Sequence, residues 1–267
     1  MSLLHYEKSF FFSSDATNGA LNKSPDGSAF TVQLNSPISI PEKAIYCTLE
    51  VQSATIWNVS PNISIAIGNN KLYIHANSLN YVITIPDGLY SVSDLETRIQ
   101  REVVLLGLPS NLLTISADDS IQKVLLTFSL ANSWIDFTPV DSFRTVLGFD
   151  SRLVPTTGQA AGYSEEGDIN ASFNRVNSYL LKSDFVSNGI SVNAISDSVI
   201  ASVLINVKPG SQIEYYPFNP PKADANELIG KAKSNFIFRL TDDAGRPAEM
   251  LGEVYSFTII LRYVVSI

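Results

Sequence analysis

The sequence predicts a mainly β fold, a two-sheet sandwich interrupted by a small α+β insertion. Three observations predict it. Apolar and polar residues alternate with period two in the first quarter and the last quarter of the chain, the pattern of strands with one face in a core. One stretch in the middle repeats its apolar residues every three or four positions instead, which is the period of an amphipathic helix. Gly, Pro, Asn and Asp punctuate the chain between these segments, supplying the backbone conformations that turns need.

Residues 1–27 read as an N-terminal arm, because Phe10-Phe11-Phe12 is followed by a polar run through Gly27 that has no core of its own to bury. Phe10, Phe11 and Phe12 are the candidate interaction residues. They suit either docking on a neighbouring molecule or a strand laid on the chain's own sheet. Alternation then starts with Phe30, Val32 and Leu34. It resumes after Pro37 and Pro41 with Ile45, Cys47, Leu49 and Val51 on one face, opposite Tyr46, Thr48 and Glu50.

From 60 to 160 the pattern changes. Short strands are expected at 63–67, 71–76 and 80–85, separated by Gly68-Asn69-Asn70 and Asn77-Ser78. Val92, Leu95, Ile99, Val103 and Leu106 form one helical stripe, with Ser93 and Glu96 as a capping box and Gly107 and Pro109 as the stop. Strands follow near 112–116 and 122–130, then a short helix capped by Asp141 and ended by Gly148. The stretch Thr156 to Asn170 reads as a loop carrying Glu165-Glu166-Gly-Asp168.

Strands return with Val199, Ala201, Val203, Ile205 and Val207, then with Phe236, Phe238 and Leu240. The strongest alternation is the last: Tyr255, Phe257, Ile259, Leu261, Tyr263 and Val265 against Ser256, Thr258 and Arg262. The expected organisation is therefore an arm (1–27), a jelly-roll β-sandwich (28–59 and 161–267) and an inserted α+β domain (60–160). No internal repeat is visible.

Composition narrows the function. Charged residues make up only 16% of the chain, below the roughly 25% of ordinary soluble domains. Such a surface is neutral and polar, or is covered by partners. The net charge of −8 leaves no basic run to neutralise a phosphate backbone, so nucleic acid is not an expected partner. Cys47 is the single cysteine, which forbids an intrachain disulfide and reads as a small buried hydrophobe. No signal peptide and no apolar run of transmembrane length is visible. The three Asn-x-Ser sequons at Asn58, Asn62 and Asn170 are expected by chance in a chain this rich in Asn and Ser.

No motif for chemistry emerges. His5 and His75 are the only histidines, and no ligand spacing for zinc accompanies them. No serine sits in a G-x-S-x-G elbow, no glycine cluster cradles a phosphate and no D-x-[DN]-x-[DN]-G calcium loop occurs. The acidic pairs Asp118-Asp119, Glu165-Glu166 and Asp242-Asp243 suit turns. A pair of glycosidase carboxylates needs no local motif, so that chemistry simply has no positive support. No catalytic, metal or cofactor residues are assigned, and a non-enzymatic role is expected.

Four stretches resemble the penton, or minor capsid, proteins of virophages and Polinton-like viruses. They are Leu34-Asn-Ser-Pro37-Ile38-Ser-Ile40-Pro41; Tyr81-Val-Ile-Thr-Ile-Pro86-Asp87-Gly88-Leu-Tyr90-Ser-Val-Ser-Asp-Leu95; Phe143-Arg-Thr-Val-Leu147-Gly148-Phe149; and Phe236-Ile-Phe-Arg-Leu240-Thr241-Asp242-Asp243-Ala-Gly245-Arg-Pro247 followed by Gly252-Glu253-Val-Tyr255-Ser-Phe257. Each is weak alone; their order and spacing carry the resemblance. It implies a single jelly roll with an inserted domain, five copies of which plug an icosahedral vertex of the virion among trimeric major capsid proteins. The implied partners are self, as a homopentamer, and the major capsid protein. Other minor capsid proteins or a host receptor are further partners it leaves open. Synthesis would be in the host cytoplasm or nucleus. Two other readings stand beside it. One is a small double-jelly-roll major capsid protein, for which 267 residues are tight. The other is a receptor- or carbohydrate-binding head using Tyr215-Tyr216-Pro-Phe218 and Trp57 as stacking platforms, although Trp57 and Trp134 equally suit a core or interface.

Overall fold

The computed structural model describes residues 2–118, 120–191 and 197–266. The chain begins with β1 (Leu3–Ser13), β2 (Ala20–Leu21), β3 (Ala29–Ser39) and β4 (Ala44–Trp57). The middle holds β5 (Lys71–Ala76), β6 (Leu79–Thr84), α1 (Val92–Leu105), β7 (Leu113–Asp118), β8 (Lys123–Phe128), β9 (Trp134–Asp136), α2 (Arg144–Leu147), β10 (Leu153–Val154) and β11 (Tyr163–Glu166). It ends with β12 (Ser178–Ser183), β13 (Val199–Leu204), β14 (Gln212–Tyr215), β15 (Lys222–Asp224), β16 (Ala232–Asp242) and β17 (Ser256–Ser266). Two compact units result, one of Met1–Ser60 with Val176–Ile267 and one of Pro61–Arg175.

The first unit is a β-sandwich. One sheet runs β1-β17-β4-β14, with β15 also on β4, and the other runs β13-β12-β16-β3-β2. Every ladder in both is antiparallel. The chain changes sheet between β3 and β4, between β13 and β14, between β15 and β16, and again before β17, as Greek-key connections do. This is the jelly-roll type of sandwich expected from the alternation. Its core is aromatic: Phe12, Phe30, Phe185, Phe236, Phe238, Tyr255 and Phe257 are all buried. The rings of Phe238 and Phe257 lie 4.9 Å apart at 68°, joining one sheet to the other edge to face.

The alternation of β17 puts all six predicted apolar positions from Tyr255 to Val265 in this core, while Ile260 and Val264 on its other face are buried as well. In β4 it breaks twice. The register on β17 shifts between Thr258 and Ile259 and again between Val264 and Val265, which leaves Gln52 and Ile45 as the unpaired bulge residues. A bulge inverts the side-chain parity on its far side, so Ile45 is exposed while Cys47, Leu49, Val51, Ala54 and Ile56 line the core.

The expectation of a separate arm at 1–27 is corrected. Residues Leu3 to Ser13 form an eleven-residue strand paired with β17 from Leu3↔Ser266 to Ser13↔Ser256. The run Phe10-Phe11-Phe12 hides an alternation. Phe10 and Phe12 face inward, and Phe12 is buried against Phe238 at 4.7 Å. Phe11 points outward and is 65% exposed.

The second unit has its own core around α1. Its sheets run β10-β9-β5-β6 and β11-β8-β7. Leu95, Ile99 and Val103 are the buried face of α1, and Leu106 falls outside it, partly exposed at the C-cap. The capping box is Ser91 with Asp94, two residues before the predicted pair: Ser91 accepts from the Asp94 backbone N–H, and the Asp94 carboxylate accepts from Ser91 N–H. Glu96 instead accepts from the backbone of Ile115.

Four further expectations are corrected. Residues 65–68 form a turn, not a strand, because the buried Asn69 closes it: its side chain accepts from Ser64 N–H and donates to Asn62 O. The short helix α2 starts after Phe143 with no side-chain cap. Asp141 is occupied by Lys71 and the Tyr73 hydroxyl instead. Residues Tyr163–Glu166, read as loop, form β11 on β8. There Arg152 neutralises the acidic run, bridging Glu165 at 2.6 Å and Asp168 at 2.9 Å.

The unit consequently continues to Arg175 where the sequence reading closed it at 160. The amide of Asn62, 1% exposed, ties its start to its end by donating to Tyr90 O and Phe173 O. Gly148 is required where it stands. It has φ +80°, and a Cβ there would meet Ile169 O at 2.3 Å.

Candidate functional site

The residues that the sequence offered for chemistry are dispersed, and most serve structure. Cys47 is fully buried on β4, and burial together with the Asp224 carboxylate pushes its thiol up to about 12. It therefore stays protonated and unreactive in the folded chain. Asp242 is 4% exposed and accepts from Ala244 N–H, Arg246 N–H and the Arg246 guanidinium, so it organises a turn. Asp243 holds Asn177. Asp118 accepts from Ser120, and Asp119 lies outside the described residues. His5 sits on the exposed part of β1 opposite Val264. Among the described residues, no group of three or more His, Cys, Asp or Glu could hold a metal ion. No helix among them is long and apolar enough to cross a membrane.

Strand β1 lies at an edge of its sheet. It is the last strand of its sheet, and among the described residues no strand pairs with its second edge. An unpaired strand edge presents free N–H and C=O groups to any strand that approaches. Leu3, Leu4, Tyr6 and Phe11 are all exposed on it. Tyr6 stacks on Tyr263 at 5.0 Å, which fixes its ring without covering it. The strand is anchored at its C-terminal end by Phe12 in the core and along its length by its ladder to β17.

The outer face of the same sheet carries a charge network. Arg262 on β17 bridges Glu7 on β1 and Glu50 on β4, and Lys222 on β15 lies 3.7 Å from Glu50. Glu50 is 2% exposed, and its Oε1 has no hydrogen-bond partner among the described residues. A carboxylate this buried persists only with its cation in place. The network therefore locks β1 to β17 and β4. Sequence reading placed Glu50 on the outer face but missed this role, because its partners Arg262 and Lys222 lie far along the chain on β17 and β15.

Of the proposed stacking platforms, Trp57 is partly buried against the sandwich core. Tyr216 and Phe218 are exposed, in the stretch between β14 and β15. Trp134 lies beside His75 in the second unit.

Two solved structures are similar to this chain along nearly all of its length. One is a mavirus penton protein at 12% identity and TM-score 0.45, covering 98% of this chain and 100% of that one. The other is the Sputnik virophage determined by cryo-EM, at 12% identity and TM-score 0.38, covering 97% of both chains. No protein-family model and no curated protein matches the sequence.

Proposed function

We propose that this protein is a viral capsid subunit of the penton type, acting by assembly and not by catalysis. The observation that supports it most is the interrupted sandwich. The chain leaves a ten-strand two-sheet unit after Ser60, builds a separate core, and re-enters at Val176. That is the organisation implied by the four motif stretches. The second unit, with a four-stranded sheet, a three-stranded sheet and a fourteen-residue helix, does not repeat the first. This disfavours the double-jelly-roll alternative.

The partners in this reading are four further copies of the chain and the major capsid protein, in the virion. Subunits in a ring contact head to tail. The β1 edge, with Leu3, Leu4, Tyr6 and Phe11, supplies one half of such a contact. Native mass spectrometry and electron microscopy of the purified protein, alone and mixed with the cognate major capsid protein, test the reading. A five-fold ring is expected. A three-fold assembly, or a monomer indifferent to the major capsid protein, overturns it.

A further inference from the structure

The charges of the second unit are unevenly placed. Residues 72–86, 103–117, 124–135 and 153–164 contain no Asp, Glu, Lys or Arg. Each run carries one connection of the chain: β5 to β6, α1 to β7, β8 to β9 and β10 to β11. Backbone hydrogen bonds bring these connections together. Ser129 N–H donates to Leu112 O, Asn132 N–H to Gln159 O and Gly162 N–H to Phe128 O. The pairing of His75 with Trp134 sets the β5–β6 turn beside residues 129–133. The connections at the opposite end hold Asp87, Asp118, Lys123, Asp141 and Arg152. In a chain that is 16% charged, four uncharged runs meeting at one end make that end a distinct surface.

Its most exposed apolar part is the last turn of α1. Val104, Leu105 and Leu106 are 53%, 74% and 40% exposed. Successive helical residues are about 100° apart, so these three side chains fan over about 200°. A flat protein face covers one side of such a tip, whereas a fluid layer closes around all of it. The tip also satisfies its own backbone donors. Leu106 N–H donates to Val103 O, Gly107 N–H to Val104 O and Leu108 N–H to Val103 O, and Pro109 has no N–H. Donors already paired can leave water without losing a hydrogen bond. Ser110, Asn111 and Asn132 on the same end are exposed and neutral. Arg101, one turn before Leu105, is exposed as well.

We infer that this end seats on a zwitterionic lipid surface, with Val104, Leu105 and Leu106 in the headgroup–acyl boundary and Arg101 against the phosphates. Charge selects that surface. The end brings no carboxylate to be desolvated, and a net charge of −8 opposes an anionic membrane. Exposed apolar patches of this kind mark contact sites, and a tip of three side chains lies in the interface without spanning it. The inference stands on the second unit alone and holds whether or not the chain is a penton.

The test is flotation of the full chain with vesicles of phosphatidylcholine alone and of phosphatidylcholine mixed equally with phosphatidylserine. Binding to the neutral vesicles is expected, half-complete at on the order of 1 mM accessible lipid, because three aliphatic side chains bury less than one myristoyl chain. Binding to the mixed vesicles is expected to be weaker. Leu105→Glu is expected to lower binding about tenfold or more, and a thermal melt should show the fold kept, since the side chain is exposed. Val140→Glu, at an exposed apolar residue beside Asp141 on the charged end, is expected to leave binding unchanged. No binding to neutral vesicles overturns the inference. So does binding that Leu105→Glu leaves intact, that Val140→Glu lowers equally, or that is stronger on the mixed vesicles. Self-association that requires Leu105, with no vesicle binding, overturns it too and assigns the tip to a second copy.

Discussion

The two units solve the same packing problem in opposite ways. The sandwich draws its strands from remote parts of the chain: β1 pairs with β17, and β3 with β16. The second unit is one continuous segment, Pro61–Arg175, whose hairpins β5–β6 and β7–β8 close between near neighbours. Loop closure is costlier the farther apart the partners are. The sandwich therefore depends on a dense aromatic core and on the Glu7–Arg262–Glu50 bridge to hold its remote strands. The second unit relies on local devices: a capped helix, a buried asparagine and one obligatory glycine. Long-range order is secured by bulk, and short-range order by particular backbone geometry.

The largest expected effect falls on the sandwich. Phe238→Ala empties a ring that contacts Phe12, Phe30, Phe185 and Phe257, and should cost about 3–5 kcal/mol. Denaturant unfolding followed separately for the two units should show the loss in the sandwich only. Gly148→Ala is the counterpart in the second unit. Its positive φ and the carbonyl of Ile169 leave no room for a methyl group, and a loss of about 2–4 kcal/mol is expected there. If either variant lowers both transitions equally, the contrast between the units fails.

A smaller effect is pH-dependent. The hydrogen bond from Arg152 holds the Asp168 carboxyl below its usual range. Its contribution is complete above the unfolded carboxylate value, about 4, and is lost as the pH falls through the lower folded value. The second unit should therefore weaken in acid by about 1 kcal/mol from this group. Arg152→Met should remove that part of the acid dependence in a thermal-melt series. The smallest expected effect is Phe11→Ala, which should change stability by less than about 0.5 kcal/mol because its ring is exposed. Any loss of assembly in this variant, measured by native mass spectrometry, then reports on the contact and not on the fold.

Much of this was legible in the sequence where one physical rule acts alone. The apolar positions from Tyr255 to Val265 appear in the core as read, and so do Leu95, Ile99 and Val103 of the five-residue stripe, with Val92 packed against it and Leu106 outside. Reading faltered where a second rule intervened. Bulges at Ile45 and Gln52 flip parity in β4. Three adjacent phenylalanines mask a strand whose inward positions are Phe10 and Phe12. Acidic residues disguise β11 until Arg152 is seen beside them. The stacking of His75 on Trp134 in the second unit was not legible at all. His75 and Trp134 lie far apart in the chain, and only the β5–β9 register makes them neighbours.

The single cysteine offers a practical handle. Cys47 is the only thiol in the chain and is sealed in the core near the start of β4. A thiol reagent can reach it only when the sandwich opens, so the rate of labelling is a clock for that opening and is blind to events in the other unit. Comparing that rate in the isolated chain and in any assembly it forms would measure how far neighbouring copies restrain the sandwich.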